Sequence, residues 1–398
     1  MIGGLAACGS SSTDTSGSTP ASGQGSSAAT APTITLAVMA EFTGANSSSV
    51  KGIKEIATTW EKWVNDTGGI QGHPVKIEFG DSGGEPAKGT SVVKGLVENK
   101  HVVALVGDHD TSAESYYADY LKAKGVPVIG GSGYTPPFWH NSDFFPLGAD
   151  AITTAYLTPE LISMAGGKKW ANVVCAEVAS CAQSSDIIKP LLSAKGIEFG
   201  GTIKVAASSP DFTAECLKMK QDGDDVVTLA ANAAVVRKLI QDCQAQGYSP
   251  TYQTNVSSYS TDLTKISGAK FIADIHGFPW WTDDPQIKQF RDVVSKYGNT
   301  DDLYDASNTA TWAALQYFRT AVEAAHITGE VTAPDVVKGI YSLKDVDLGG
   351  LLAQKFTFSP TDTERIPNCA FVAGVEDGKL TAPQGLKPIC ATIPTGKF

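Results

Sequence analysis

Asn65-Asp66-Thr67-Gly68-Gly69-Ile70-Gln71-Gly72-His73-Pro74-Val75-Lys76-Ile77-Glu78-Phe79-Gly80-Asp81-Ser82-Gly83-Gly84-Glu85-Pro86-Ala87-Lys88 holds a helix end, a strand and a turn within one short run. Gly68 and Gly69 end a helix, and Val75 to Phe79 is a β-branched and aromatic run that reads as a strand. Upstream, Val50, Ile53, Ile56, Trp60 and Trp63 or Val64 keep one helical face apolar. Downstream, Val92, Val93, Leu96 and Val97 do the same. Strands are expected at Ile34 to Met39, Val102 to Val106 and Val126 to Ile129, so strand and helix alternate as in a parallel sheet.

The alternation restarts after Asp150, with strands expected at 172 to 176, 199 to 205, 225 to 230, 252 to 255 and 271 to 275. Helices follow near 284 to 297, 303 to 326 and 333 to 343. The fold class is therefore α/β, two doubly wound parallel-sheet lobes, which suits 398 residues at about 150 residues per domain. The 42 Asp and Glu against 31 Lys and Arg give a net charge of −11, against a nucleic-acid partner. No apolar stretch of about 18 residues is present to span a membrane as a helix.

Leu5-Ala6-Ala7-Cys8-Gly9 resembles the lipobox of bacterial lipoproteins, in which the cysteine thiol carries a lipid. Residues 1–8 then read as a truncated signal peptide, since no basic or apolar region precedes the motif. Residues 9–32 are Gly, Ala, Ser, Thr and Pro apart from Asp14 and Gln24, a tether that buries no core. The other six cysteines suit disulfides of an exported protein. Proximity points to Cys175 with Cys181, Cys216 with Cys243 and Cys369 with Cys390. Without Cys-x-x-Cys and with scattered histidines, no metal is expected, and no cofactor.

The run from Asn65 to Lys88 is similar to the Asn-x-x-Gly-Gly-Ile-x-Gly segment, strand and Asp of the type I periplasmic binding proteins. These include the leucine/isoleucine/valine-binding proteins of ABC importers. Thr43-Gly44, Gly107, Gly125-Val126-Pro127 and the register from Asp225 through Gly247 to Leu263 extend the resemblance over the body. It implies a Venus-flytrap clamp joined by three crossovers, with 33–147 plus 280–350 as one lobe and 148–279 plus 351–398 as the other. Ligand would lie between them at the carboxyl ends of strands, where a doubly wound sheet binds on physical grounds.

Gly107-Asp108-His109-Asp110-Thr111-Ser112 ends a strand and opens a helix, whose N-terminal N–H groups and hydroxyls suit a carboxylate. The resemblance places Thr111 on a substrate carboxylate and Ser132 and Tyr134 at further contacts, with Ser112, His109 and Asp110 beside them. A capping box of Thr111 with Glu114 explains the same residues structurally. In the second lobe the family's acid for the α-ammonium falls at Val256, and Cys181 and Asn232 stand where branched-chain binders often carry aromatics. A buried ammonium without a carboxylate partner is costly. Asp110, Glu177 or Glu41 could substitute; the simpler expectation is an aromatic or other organic carboxylate or amide. Asn232, Asn255, Ser257 and Ser258 would offer it neutral hydrogen bonds. Trp280 and Trp281 would stack on it or pack the hinge, and Phe42, Ser49 and Trp139 are weaker candidates.

The function expected is solute capture for an ABC importer: a monomer outside the cytoplasm, anchored only through Cys8, whose partners are a small molecule and the permease subunits. A lipid-anchored sensor using the same clamp is the alternative. An enzyme is not expected, since no Gly-x-Ser-x-Gly, His-Glu-x-x-His, Walker or Gly-x-Gly-x-x-Gly motif is present.

Overall fold

The computed structural model describes residues 31–177, 179–254, 259, 261–298 and 305–396, without the side chains of 179–183. The lipobox with Cys8 and the tether through residue 30 lie outside the described residues. In chain order, the first part runs β1 (Ile34–Ala40), α1 (Ile53–Asp66), β2 (Val75–Asp81), α2 (Pro86–Asn99), β3 (Leu105–Asp108), α3 (Glu114–Lys124), β4 (Val128–Gly131), α4 (Pro136–His140) and β5 (Phe144–Phe145). The second runs α5 (Ala151–Met164), β6 (Lys169–Cys175), α6 (Ala179–Leu192), β7 (Glu198–Val205), α7 (Thr213–Asp222), β8 (Val226–Ala230), α8 (Ala233–Ala245), β9 (Thr251–Thr254) and β10 (Lys270–Ile275). Then come α9 (Pro285–Tyr297), α10 (Ala306–Ala325), α11 (Ala333–Ser342), β11 (Cys369–Glu376), β12 (Lys379–Thr381) and β13 (Ile389–Cys390).

The first sheet has strand order β2-β1-β3-β4-β5, all parallel. The second has order β12-β11-β10-β9-β8-β6-β7, with β13 beside β11. Strands β7 to β10 and β6 pair in parallel, and β11, β12 and β13 add antiparallel partners. Each sheet thus reverses its winding at one point, between β1 and β3 and between β6 and β8. There the helices leave for opposite faces and a crevice opens at the carboxyl ends of the strands.

The run quoted first explains itself in three dimensions. Asn65 closes α1 onto β2 by donating from Nδ2 to the Val75 carbonyl and accepting from Val75 N–H, both at 2.8 Å. Gly69 adopts φ 73°, and a Cβ there would stand 2.1 Å from the His73 carbonyl oxygen, so a tight return needs glycine. Asp81 accepts from Thr43 N–H, the Thr43 hydroxyl, Gly83 N–H and Lys88. Those hydrogen bonds outweigh burial and hold its carboxyl down at about 2. The loops after β1 and β2 are thereby tied together beside the crevice.

Helix α1 buries Ile53, Ile56, Ala57, Trp60 and Val64 on one face, the three-and-four spacing expected. Helix α10 is buried along most of its length against α1, β3, β4 and α11, and α9 packs on α1. The helices after β10 therefore return to the first sheet. The chain crosses between the sheets after β5, after β10 and again before β11. Between α11 and β11 the chain touches both sheets: Phe358 meets Phe145 and Tyr317 edge-on and Arg365 donates to the Ser142 and Phe144 carbonyls, while Gln354 accepts from Asn368 and Cys369 N–H and the Pro367 carbonyl accepts from Thr153. Aromatic burial against β5 decides the place of Phe358 and Arg365, which no local period in the sequence records.

Disulfides join Cys216 of α7 to Cys243 of α8 and Cys369 of β11 to Cys390 of β13, as expected. Cys175 is also disulfide-bonded. Its expected partner Cys181 lies outside the described side chains. Among the described residues no group of His, Cys, Asp and Glu could hold a metal, and no helix is long and apolar enough to cross a membrane.

Candidate functional site

A cleft of about 570 Å³ lies where the two winding reversals face each other. The loops after β1 and β3 bring Glu41, Ser49, His109, Thr111 and Ser112, and the loop after β4 brings Ser132 and Tyr134. From the other side come Cys175 at the end of β6, Glu177 just beyond it, and Ala231 and Asn232 after β8. The cavity runs on into the second sheet's side, past Thr154, Thr158, Asn172 and Thr228 and the apolar Ala155, Ile188 and Val205.

Glu41 changes the chemistry expected of this wall. Its carboxylate is buried, and Oε1 accepts from the Thr111 hydroxyl at 2.9 Å and from Ser112 N–H at 3.0 Å. Oε2 accepts from Asn46 Nδ2 at 2.8 Å. The donors expected to receive a ligand carboxylate are thus held by the protein's own. Thr111 forms no capping box with Glu114 either: α3 has no side-chain cap, and Glu114 is fully buried.

Asp110 is withdrawn from the cleft. Its Oδ1 accepts from the Ser82 hydroxyl at 2.8 Å and from Ala113 N–H at 3.2 Å, in a buried group with Asp108, Glu114 and Tyr117. His109 does line the cleft, with Nε2 3.1 Å from the Thr311 hydroxyl and its ring edge-on to His276. Burial pushes His109 down to about 4 and His276 to about 3, so both are neutral near pH 7.

Ser49 and Asn232 span the opening. Asn232 caps α8 through Oδ1, accepting from Ala234 and Val235 N–H, and its Nδ2 donates to the Ala45 carbonyl of the opposite wall at 3.3 Å. Ala233 N–H donates to the Ser49 hydroxyl at 3.4 Å. Asn232→Asp retains a good cap and loses the cross-cleft donor. It is expected to raise the ligand Kd roughly five- to tenfold, one hydrogen bond's worth, with the melting temperature of the unliganded protein little changed. Isothermal titration alongside thermal melts reads both, and an unchanged Kd would remove the latch.

Trp280 and Trp281 do not reach the cleft. They pack on each other, ring centroids 4.7 Å apart, and on Tyr259, while the Trp280 carbonyl accepts from Arg291. Phe42 lies edge-on to Phe79 under Lys54, away from the lining residues. Trp139 likewise lies off the cleft, its carbonyl accepting from Arg365 N–H. Asn255, Val256, Ser257 and Ser258 lie outside the described residues.

The floor formed by Thr154, Thr158, Asn172 and Thr228 went unread in the sequence. Thr158 and Thr228 belong to a hydrogen-bonded chain in which Trp170 donates to Thr228, Thr228 to Gln253, and Gln253 to Thr158, while Thr154 donates to Asp274 and Asn172 to Ser184 and Ser185. The spacing of Thr154 and Thr158 on α5 was the one signal available. Nothing local separates two such threonines from ordinary helix filling.

Several buried acids make stability pH-dependent. Burial raises Asp110 and Asp274 to about 6 and Asp150 to about 7, and holds Asp108 and Glu114 well above the usual carboxylate range. The native state keeps these protons where the unfolded chain, with carboxyls near 4, has lost them, so their contribution is present at low pH and lost as pH rises through 6 to 7. His109 and His276 act oppositely below about 6.5, because the unfolded chain protonates there and the native one does not. The five acids outweigh two histidines. The melting temperature is expected to be higher at pH 5.5 than at pH 8, and a flat or inverted profile would contradict this assignment.

A model of the periplasmic binding proteins matches residues 33–379, most of the chain. The chain belongs to the periplasmic binding protein family. It is a binding protein of that family and not an enzyme. This binding protein is 24% identical over 330 residues, 79% of its own chain and 84% of the relative's, to a Leu/Ile/Val-binding protein homolog 3 of Brucella melitensis biotype 1. Among solved structures it resembles a branched-chain amino acid ABC transporter protein from Thermus thermophilus with bound valine. There the TM-score is 0.79 and the identity 16%, covering 90% of this chain and 97% of that one. It also resembles a solute-binding protein of R. palustris in complex with 4-hydroxybenzoate. The TM-score is 0.70 and the identity 16%, with 92% and 99% covered.

Proposed function

We propose that this binding protein captures a small organic solute outside the cytoplasm by closing its two lobes and delivers it to the permease of an ABC importer. The observation that carries the reading is the cleft itself, about 570 Å³ at the winding reversals of both sheets and bridged by Asn232 to Ala45. Three crossings at one edge suit hinge closure of two rigid bodies. We take these bodies as 33–147 with 280–367, and 148–279 with 368–398. Leu5-Ala6-Ala7-Cys8 and the small-residue tether support a lipid anchor on a monomer held at the membrane's outer face.

The two ligands named for the structural relatives both carry a carboxylate. Here the matching donors are filled by Glu41, and Asn232, Ser132, Thr154 and Asn172 supply neutral hydrogen-bonding groups. Of the carboxylate and the amide, an amide-type solute fits better. The test is a thermal-shift panel of amino acids, aromatic acids and amides on folded protein. One class should give a saturable shift; no shift from any class would remove the reading.

A further inference from the structure

Closing a cleft on a ligand strips water from its walls, so every charge left in the lining must find a partner in the ligand or in the protein. The described lining contains two carboxylates, Glu41 and Glu177 on opposite walls, and neither Lys nor Arg. Lys88, whose ammonium stands near Gly83 at the cleft edge, is paired with Asp81 at 3.1 Å. The histidine in the lining is neutral. No cation among the described lining residues can therefore balance a ligand carboxylate.

Glu41 also occupies the position an anion would use. Thr111 O–H, Ser112 N–H and Asn46 Nδ2 are three donors converging on its two oxygens. An ionised carboxylate accepts about four hydrogen bonds, so acceptor capacity remains. A Cβ on Gly84 would stand 3.1 Å from Glu41 Oε2, and Gly84 itself lines the cleft. With glycine at 84, no side chain from that position covers the oxygen. Beyond it lies a short apolar continuation past Ala155, Ile188 and Val205.

We infer that Glu41 is a specificity-determining residue that makes the cleft take a head group with N–H donors, an amine or a primary amide, and reject free carboxylates. This rests on the capture reading above. A ligand carboxylate brought against Glu41 would be repelled, and more strongly as closure strips water from the cleft. It would also find its donors already used. An ammonium or amide N–H instead completes the acceptor shell of a buried anion.

The experiment uses benzylamine, benzamide and benzoate, three probes of one size that differ in head group, titrated calorimetrically into the wild type, Glu41→Gln and Glu41→Ala. Circular dichroism confirms that each is folded. In the wild type, benzylamine or benzamide should bind at least tenfold more tightly than benzoate. Glu41→Gln keeps the shape and removes the charge, and should weaken benzylamine at least tenfold. Glu41→Ala frees Thr111 and Ser112 and should tighten benzoate at least tenfold. Benzoate binding the wild type as well as its neutral and cationic counterparts would overturn the role of Glu41 while leaving solute capture intact. Failure of all three probes on every folded form would overturn the inference too, and the broader panel then judges the capture reading separately.

Discussion

Gly131→Ala is expected to destabilise the protein by about 3–5 kcal/mol and to raise the Kd for its ligand at least tenfold. Gly131 closes β4 opposite Asp108 of β3 with φ 142°, and a Cβ there would stand 2.1 Å from the Asp108 carbonyl oxygen and 2.9 Å from its nitrogen. These are backbone atoms of a central strand pair and cannot swing aside. Overpacking a tight core costs about 1–3 kcal/mol, and a side chain held in that backbone region about 1–3 kcal/mol more. The next residue carries the functional consequence: Ser132 N–H donates to the Asp108 carbonyl at 2.9 Å, which sets Ser132 and Tyr134 at the cleft. Gly125→Ala is the control. That glycine also has positive φ, 65°, but a Cβ there meets nothing within 4 Å, so only the conformational penalty of about 1 kcal/mol applies. Urea unfolding of the two variants separates the effects, and equal losses would show that the close approach at Gly131 is unimportant.

Arg365→Met should cost a similar amount, about 3–5 kcal/mol, the range for a buried charge network that loses one member. Arg365 is buried, with Nη1 donating to the Ser142 and Phe144 carbonyls at 2.5 and 3.0 Å and Nη2 to the Ser359 carbonyl and the Tyr341 hydroxyl at 2.9 and 3.2 Å. Its guanidinium lies 4.6 Å over the Phe145 ring and 5.3 Å over Phe358. Methionine fills much of the space but leaves those buried carbonyls without donors, each costing about 1–3 kcal/mol. Because the same contacts pin Phe358 and Arg365 to β5, just ahead of the first crossing, the loss should spread to the hinge. Arg365→Lys should recover only part, since a single ammonium cannot span four acceptors. Denaturant midpoints test this; a methionine variant within 1 kcal/mol of the wild type would show that aromatic packing alone holds the segment.

How far the site could be read beforehand depended on the range of the interaction involved. Ser132, Tyr134, Thr111 and Asn232 line the cleft because loops after strands of a doubly wound sheet meet the crevice, a consequence of chain order. Asp110 and the two tryptophans lie off the cleft lining, because neighbours in sequence on a turn point in different directions. Asp110 turns toward Ser82, brought from 28 residues away. Trp280 and Trp281 turn toward Tyr259. Glu41 was visible only as one of three spare acids, since nothing within β1 tells that its carboxylate will sit 2.9 Å from a hydroxyl 70 residues later.

By itself, the sequence determined the alternation of most strands and helices and the α/β class, and proximity pointed to the cysteine pairs Cys216–Cys243 and Cys369–Cys390, which sit on neighbouring elements. Hydrophobic period, glycine at a tight return and proline at a boundary act over a few residues, so they survive without a fold. Only the tertiary structure decided which carboxylate fills the donors at the start of α3, that Phe358 and Arg365 pack against β5, and that the described lining of the cleft holds no Lys or Arg. Those outcomes are set by competition for buried hydrogen bonds among groups distant in the chain. The winner of such a competition depends on geometry that no segment carries alone.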